Sequence, residues 1–234
     1  MDDMDALTRL RSSVYTGDGH AVVAALRQDP WPADSIQLIG DGLLTAVAQG
    51  ISDAPALARR CLSALEERRW DGDHELAEAL AAALGDGPTP MLRRLPVDLE
   101  ELAATLEGDP VHGGGRIDLR TGEVWPEPAI EYADDADGID EDEDDDRWLW
   151  VPSEGSRAGY HDMQWFIDDI DDTDLAGALA RAITGHGAFR RFKDQLSQRP
   201  ELMARWHAFS NDRQLGRARN WLAAHGYTPV RPSR

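Results

Sequence analysis

Apolar positions recur at three- and four-residue intervals through the first 84 residues. Leu7, Leu10 and Val14 form one set, Val22, Val23 and Leu26 a second, Leu43, Leu44, Val47 and Ile51 a third, Leu57, Cys61, Leu62 and Leu65 a fourth, and Leu76, Leu80, Ala83 and Leu84 a fifth. That spacing puts each set on one side of an α-helix. Between the sets stand Gly17-Asp18-Gly19, Pro30-Trp31-Pro32, Ser52-Asp53 ahead of Pro55, and Asp71-Gly72-Asp73, which interrupt helices and offer Asp or Ser as N-caps. Residues 1–86 are therefore expected to be an all-α domain of helical hairpins. No residue signature repeats in register, so a small bundle and a solenoid of helical repeats both stay open.

The pattern changes after Gly85-Asp86-Gly87-Pro88-Thr89-Pro90, which can continue neither helix nor strand, and residues 87–96 read as a linker. Leu99, Leu102 and Leu106 mark a helix capped by Asp98 and ended by Gly108. A period of two then takes over. Arg116-Ile117-Asp118-Leu119 and Val124-Trp125 flank Thr121-Gly122 as a hairpin, with Gly122 at positive φ. From Glu127 to Asp146 there are twelve Asp or Glu and no Lys or Arg, the composition of a solvated loop. Arg147-Trp148-Leu149-Trp150-Val151, stopped by Pro152, reads as a third strand, either buried on both faces or at an edge. The helical period then returns in Tyr160, Met163, Phe166, Ile167 and Ile170, in Leu175, Ala178, Leu179, Ala182 and Ile183 behind a cap at Thr173 or Asp174, and in Phe189, Phe192 and Leu196. Two more helices are expected, one opened by Pro200 and carrying Leu202, Trp206 and Phe209, the other lined by Leu215, Ala218, Trp221 and Leu222. Residues 97–230 are thus expected to be an α+β domain, a small antiparallel sheet of about three strands packed with several helices, with an acidic loop at 127–146.

Charge alters the picture in two ways. The chain carries a formal −20, which repels nucleic acid and anionic membranes at long range. Yet from His186 to Arg234 ten basic residues face three acidic ones. Arg190, Arg191, Lys193, Arg205 and Arg217 are the candidate ligand-binding residues of a basic face for RNA or a nucleotide, together with Arg213 and Arg219. The competing and preferred reading pairs these arginines with the protein's own carboxylates. A third reading lays the acidic tract over them as a lid. Set on a calcium loop with its glycine at Gly138, the tract puts Ala133 at the first ligand position and Asp140 where an apolar residue belongs, so no specific metal site is expected.

One cysteine, Cys61, excludes an internal disulfide and a cysteine zinc site, and on its apolar face it reads as core. The acidic N-terminus is unlike a secretory signal and no apolar run approaches the ~20 residues that span a bilayer, so a cytoplasmic protein without membrane association is expected. His112, His161, Asp162, His186, Asp118 and Glu123 are the groups from which metal-assisted hydrolysis would have to be built, but the adjacent His161 and Asp162 point to different sides of a helix. No catalytic residue and no cofactor is assigned, and no Gly-x-Ser-x-Gly, His-Glu-x-x-His or phosphate-loop motif occurs.

The run Val97-Asp98-Leu99-Glu100-Glu101-Leu102, the hairpin Ile117-Asp118-Leu119-Arg120-Thr121-Gly122-Glu123-Val124, Val151-Pro152, Met163 with Phe166-Ile167, the stretch Gly185-His186-Gly187-Ala188-Phe189-Arg190-Arg191-Phe192-Lys193-Asp194, and Arg205-Trp206 with Phe209 together resemble the bacterial uncharacterised protein family 0158 over residues 97–226. The resemblance implies a fold unit and a bacterial source, and no chemistry. The function expected is that of a non-enzymatic binding or adaptor module whose partner is a protein. RNA or nucleotide binding through the C-terminal arginines and metal-assisted hydrolysis are the alternatives.

Overall fold

The computed structural model describes residues 3–108, 113–129 and 145–231. By contact the chain divides into two compact units, Met1–Met91 with Leu196–Asn220, and Leu92–Gln195 with Trp221–Arg234. Helices α1 (Asp3–Thr16), α2 (Gly19–Leu26), α3 (Ile36–Ala48), α4 (Ala54–Arg68) and α5 (Asp73–Leu84) open the first unit, each packed on the next. Their breaks follow local chemistry: the Asp18 side chain accepts the Ala21 amide at the start of α2, and Gly85 ends α5 at φ 76°. Leu10, Val22, Leu26, Ile39, Leu43, Leu65, Leu76 and Leu80 close over one another as the core. Cys61 lies among them, and burial pushes its thiol up to about 12.

The C-terminal helix α10 (Pro200–Ala224) contributes residues 200–220 to this first unit. Two helices were expected here, and one of 25 residues is found. The polar stretch Ser210-Asn211-Asp212-Arg213 lies inside this helix, with Asp212 and Arg213 buried. Asp212 accepts the Gln37 backbone amide at 2.7 Å and Arg68 Nη1 at 2.5 Å, and Arg68 also grips Asp73 through Nε at 2.9 Å and Nη2 at 2.6 Å. Arg219 donates to Gln37 Oε1 at 2.9 Å and Asp41 Oδ1 at 2.7 Å. Burial raises the Asp212 carboxyl, against the pull of Arg68 and the Gln37 amide. Burial alone would lower Arg68, but Asp73 and Asp212 outweigh it and the guanidinium is held charged. The backbone follows these polar ties closely: a Cβ on Gly72 would stand 2.2 Å from the Gly216 carbonyl oxygen.

The second unit holds β1 (Arg93–Leu95), α6 (Leu99–Leu106), β2 (Gly115–Asp118), β3 (Val124–Pro126), β4 (Trp148–Val151), α7 (Arg157–Asp168), α8 (Thr173–Ala182), α9 (Ala188–Leu196) and β5 (Tyr227–Pro229). The fold is α+β, with an antiparallel sheet ordered β3-β2-β4. The third strand proves to be an edge strand. Asp98 caps α6 as expected, whereas α8 is capped by Asp172, whose carboxylate accepts the Asp174 and Leu175 amides, and not by Thr173 or Asp174. A two-stranded parallel pair, β1 with β5, was not foreseen. Its three-residue strands are too short to show a period. The acidic tract from residue 130 to 144, including the calcium-loop frame from Ala133 to Asp144, lies outside the described residues, as does His112. No helix among the described residues is long and apolar enough to cross a membrane.

Candidate functional site

Strand alternation sorts the small sheet into two unlike faces. On β2, Gly115 and Ile117 point one way, and Ile117 is buried with its cross-strand partners Val124 and Leu149 beside it. Arg116 and Asp118 point the other way. Arg116 is paired across the strands with Trp125 of β3 on one side and Trp150 of β4 on the other, and Asp118 is paired with Trp148. The outer face is therefore three indoles around a central guanidinium. An antiparallel sheet of alternating Trp and aliphatic residues cannot fold otherwise, since a one-residue slip would exchange the two faces.

Contacts within this face fix most of it. The Arg116 guanidinium lies 4.2 Å from the centre of the Trp148 ring and that of Arg147 lies 4.6 Å from it. Trp125 meets Trp148 edge-on at 6.3 Å. Asp118 is held by Arg147 through Nε at 3.0 Å and Nη2 at 2.5 Å and by the Arg120 amide at 2.8 Å. Burial alone would raise its carboxyl, but Arg147 and the backbone amides outweigh burial and hold it below the ordinary carboxylate range.

Two features of the face are left open. Trp150 is 58% exposed. Arg116 Nε and Nη2 and the Trp125 indole nitrogen are buried with no hydrogen-bond partner among the described residues. Nε and Nη2 form the side-on fork of a guanidinium, the edge that Arg68 offers to Asp73 and Arg147 to Asp118. Arg116 thus has the fork of an ion-pairing arginine with no acceptor for it among the described residues.

The family model described as "Uncharacterised protein family (UPF0158)" matches residues 91–232, more than half of the chain, and the outer sheet face lies inside the match. The chain belongs to this family. A UPF0158 protein of Pseudomonas aeruginosa, PA5073, is 26% identical over 139 residues, which cover 59% of this chain and 89% of that protein. No solved structure matches. The UPF0158 segment begins after α5, so helices α1–α5 stand outside it while the five strands among the described residues stand inside.

The arginines singled out from the sequence fall elsewhere in the UPF0158 segment and on two units. Arg190, Arg191 and Lys193 are exposed on α9 of the second unit. Arg191 donates to the carbonyls of Ala182 at 2.9 Å, Thr184 at 2.9 Å and His186 at 2.5 Å, closing the C-terminus of α8. Arg190 is 3.9 Å from Asp194. Arg205 and Arg217 belong to α10 in the first unit, where Arg205 lies 3.6 Å from Asp34 and Arg217 is half-buried. Their neighbours Arg213 and Arg219 are buried and paired with Asp71 at 3.5 Å and Asp41 at 2.7 Å. Of the groups considered for hydrolysis, His161 is exposed while Asp162 beside it is buried, and Asp118 is committed to Arg147. Among the described residues no group of three or more His, Cys, Asp or Glu could hold a metal ion. Nothing in the spacing of Arg116 and Trp125 distinguishes an outer sheet face from an inner one. The signal was the alternation of Trp148 and Trp150 with Leu149 and Val151.

Proposed function

We propose that this protein is a cytoplasmic, non-enzymatic interaction module and that the outer face of the β3-β2-β4 sheet is its binding surface. The observation that carries the reading is the pairing, on one cross-strand row, of an indole 58% exposed with an arginine whose buried fork has no acceptor among the described residues. Exposed tryptophan and arginine are the side chains that dominate recognition energies, because both bury large areas and donate at defined angles. An orphaned buried donor costs about 1–3 kcal/mol, which a ligand acceptor recovers. The single cysteine, buried in a helical core, fits a reducing compartment.

Nucleic-acid binding through α9 and α10 has less to stand on. Arg191 is spent on helix-end carbonyls, and Arg213 and Arg219 are neutralised by carboxylates. The test is in-cell photo-crosslinking with a photoreactive phenylalanine at position 150 and, as a control, at exposed position 201. Protein adducts from position 150 and not from 201 are expected. Equal yields from both, or none from 150, contradict the proposal.

A further inference from the structure

The chemistry of the face restricts its ligand. Arg116 Nε and Nη2 and Trp125 Nε1 are buried donors with no partner among the described residues, while the carboxylate of the face, Asp118, already accepts from Arg147 and the Arg120 amide. The ligand segment that meets these donors is rich in acceptors and poor in donors. Its rings matter equally. Trp125 and Trp150 both pair with Arg116 from opposite neighbouring strands. Strands stand about 4.8 Å apart, so the two indoles are rooted about 10 Å from each other. A polyproline II helix repeats every three residues, or about 9 Å, exposes carbonyls that make no internal hydrogen bonds, and at proline carries no N–H. Charge decides between this ligand and the other stacking ligand, single-stranded RNA. Exposed Glu123, Asp146 and Glu154 adjoin the strands in sequence, and the chain carries −20, so a polyanion is repelled and a basic chain drawn in.

We infer that this face binds a proline-rich peptide bearing arginine or lysine, held in the polyproline II form with proline rings on Trp125 and Trp150 and a peptide carbonyl on the Arg116 fork. The inference rests on the reading of the face as the binding surface. The donors are closed to solvent in the free chain. Trp150 is the exposed ring on the same row, so its fluorescence reports a peptide seated on the face.

The experiment titrates the full chain with a capped peptide alternating two prolines with one arginine, with an equally charged peptide carrying alanine for proline, and with oligouridylate, followed by tryptophan fluorescence and calorimetry. Saturable binding of the proline peptide is expected, weakened by salt. It should fall about 30-fold in Trp150→Ala, a change at an exposed position that leaves the thermal unfolding midpoint in place. Absence of saturable binding, equal binding of the alanine peptide, preference for oligouridylate, or an unaltered affinity in Trp150→Ala each overturns the inference. Failure of the peptide with persistent adducts from position 150 removes the ligand class alone, whereas loss of both removes the face as well.

Discussion

Asp212→Ala removes the carboxylate on which α10 is tied to the N-terminal helices. Asp212 is 1% exposed in its side chain and takes one donor from the Gln37 amide and one from Arg68. Breaking a buried ion pair from one side costs about 3–5 kcal/mol, because the surviving charge stays desolvated. Arg68 keeps both Asp73 contacts, and the raised carboxyl shows that burial of Asp212 itself is partly uncompensated, so the lower end applies, about 3 kcal/mol. With a urea slope of about 2 kcal/mol/M the unfolding midpoint falls by about 1.5 M. Equilibrium urea unfolding is followed by far-ultraviolet circular dichroism and by the fluorescence of Trp70, which lies 4.0 Å from the Arg68 guanidinium. Asp212→Asn, which keeps an acceptor for the Gln37 amide, should lose about half as much. A shift below about 0.3 M in Asp212→Ala would refute the claim that this network fastens the helix.

Three further outcomes follow from single groups. Because the folded Asp118 carboxyl is depressed, its stabilisation is present above the ordinary carboxylate pKa of about 3.9 and is lost as pH falls through the folded value; Asp118→Asn should flatten the acid limb of the stability–pH curve, and an unchanged limb contradicts the Arg147 pairing. Gly72→Ala combines a φ of 79° with a Cβ 2.2 Å from the Gly216 carbonyl, and should cost more than about 2 kcal/mol in the same urea assay. The Cys61 thiol, buried and pushed up to about 12, should stay unlabelled by a maleimide at pH 8 in the native state and react at once in denaturant; rapid native labelling contradicts its place in the core.

Helix existence was legible wherever an apolar period met a breaker with a mechanism, as at Asp18, Gly85 and Asp98. It failed at 210–213, because a polar run inside a helix and a polar run between helices look alike until the partner is known, and here the partner of Asp212 is 175 residues away at Gln37. The same distance hides why residues 196–220 cluster with the first unit, although they lie beyond the whole hairpin region in sequence. The hairpin and the third strand were readable from a period of two, but the pairing of β4 with β2, which sets Trp150 and Trp125 on either side of Arg116, is a long-range choice of sheet order. The density of arginine along the sequence points to α9 and α10. Among the described residues Arg116 has no acceptor for its fork, and only geometry separates it from Arg68, Arg147 and Arg219, which have theirs.

The Trp125 indole N–H tests the proposed binding face most directly, since it is a buried donor with no acceptor among the described residues. In a proton–nitrogen spectrum of the chain, the eight tryptophan indoles are assigned by substitution and followed while the proline–arginine peptide is added. A downfield shift of the Trp125 indole, as it gains a carbonyl acceptor, together with movement of Trp148 and Trp150 and none of Trp70, is the result expected. Immobile Trp125, Trp148 and Trp150 indoles at saturating peptide, or a Trp125 proton already shifted downfield in the free chain, would contradict it.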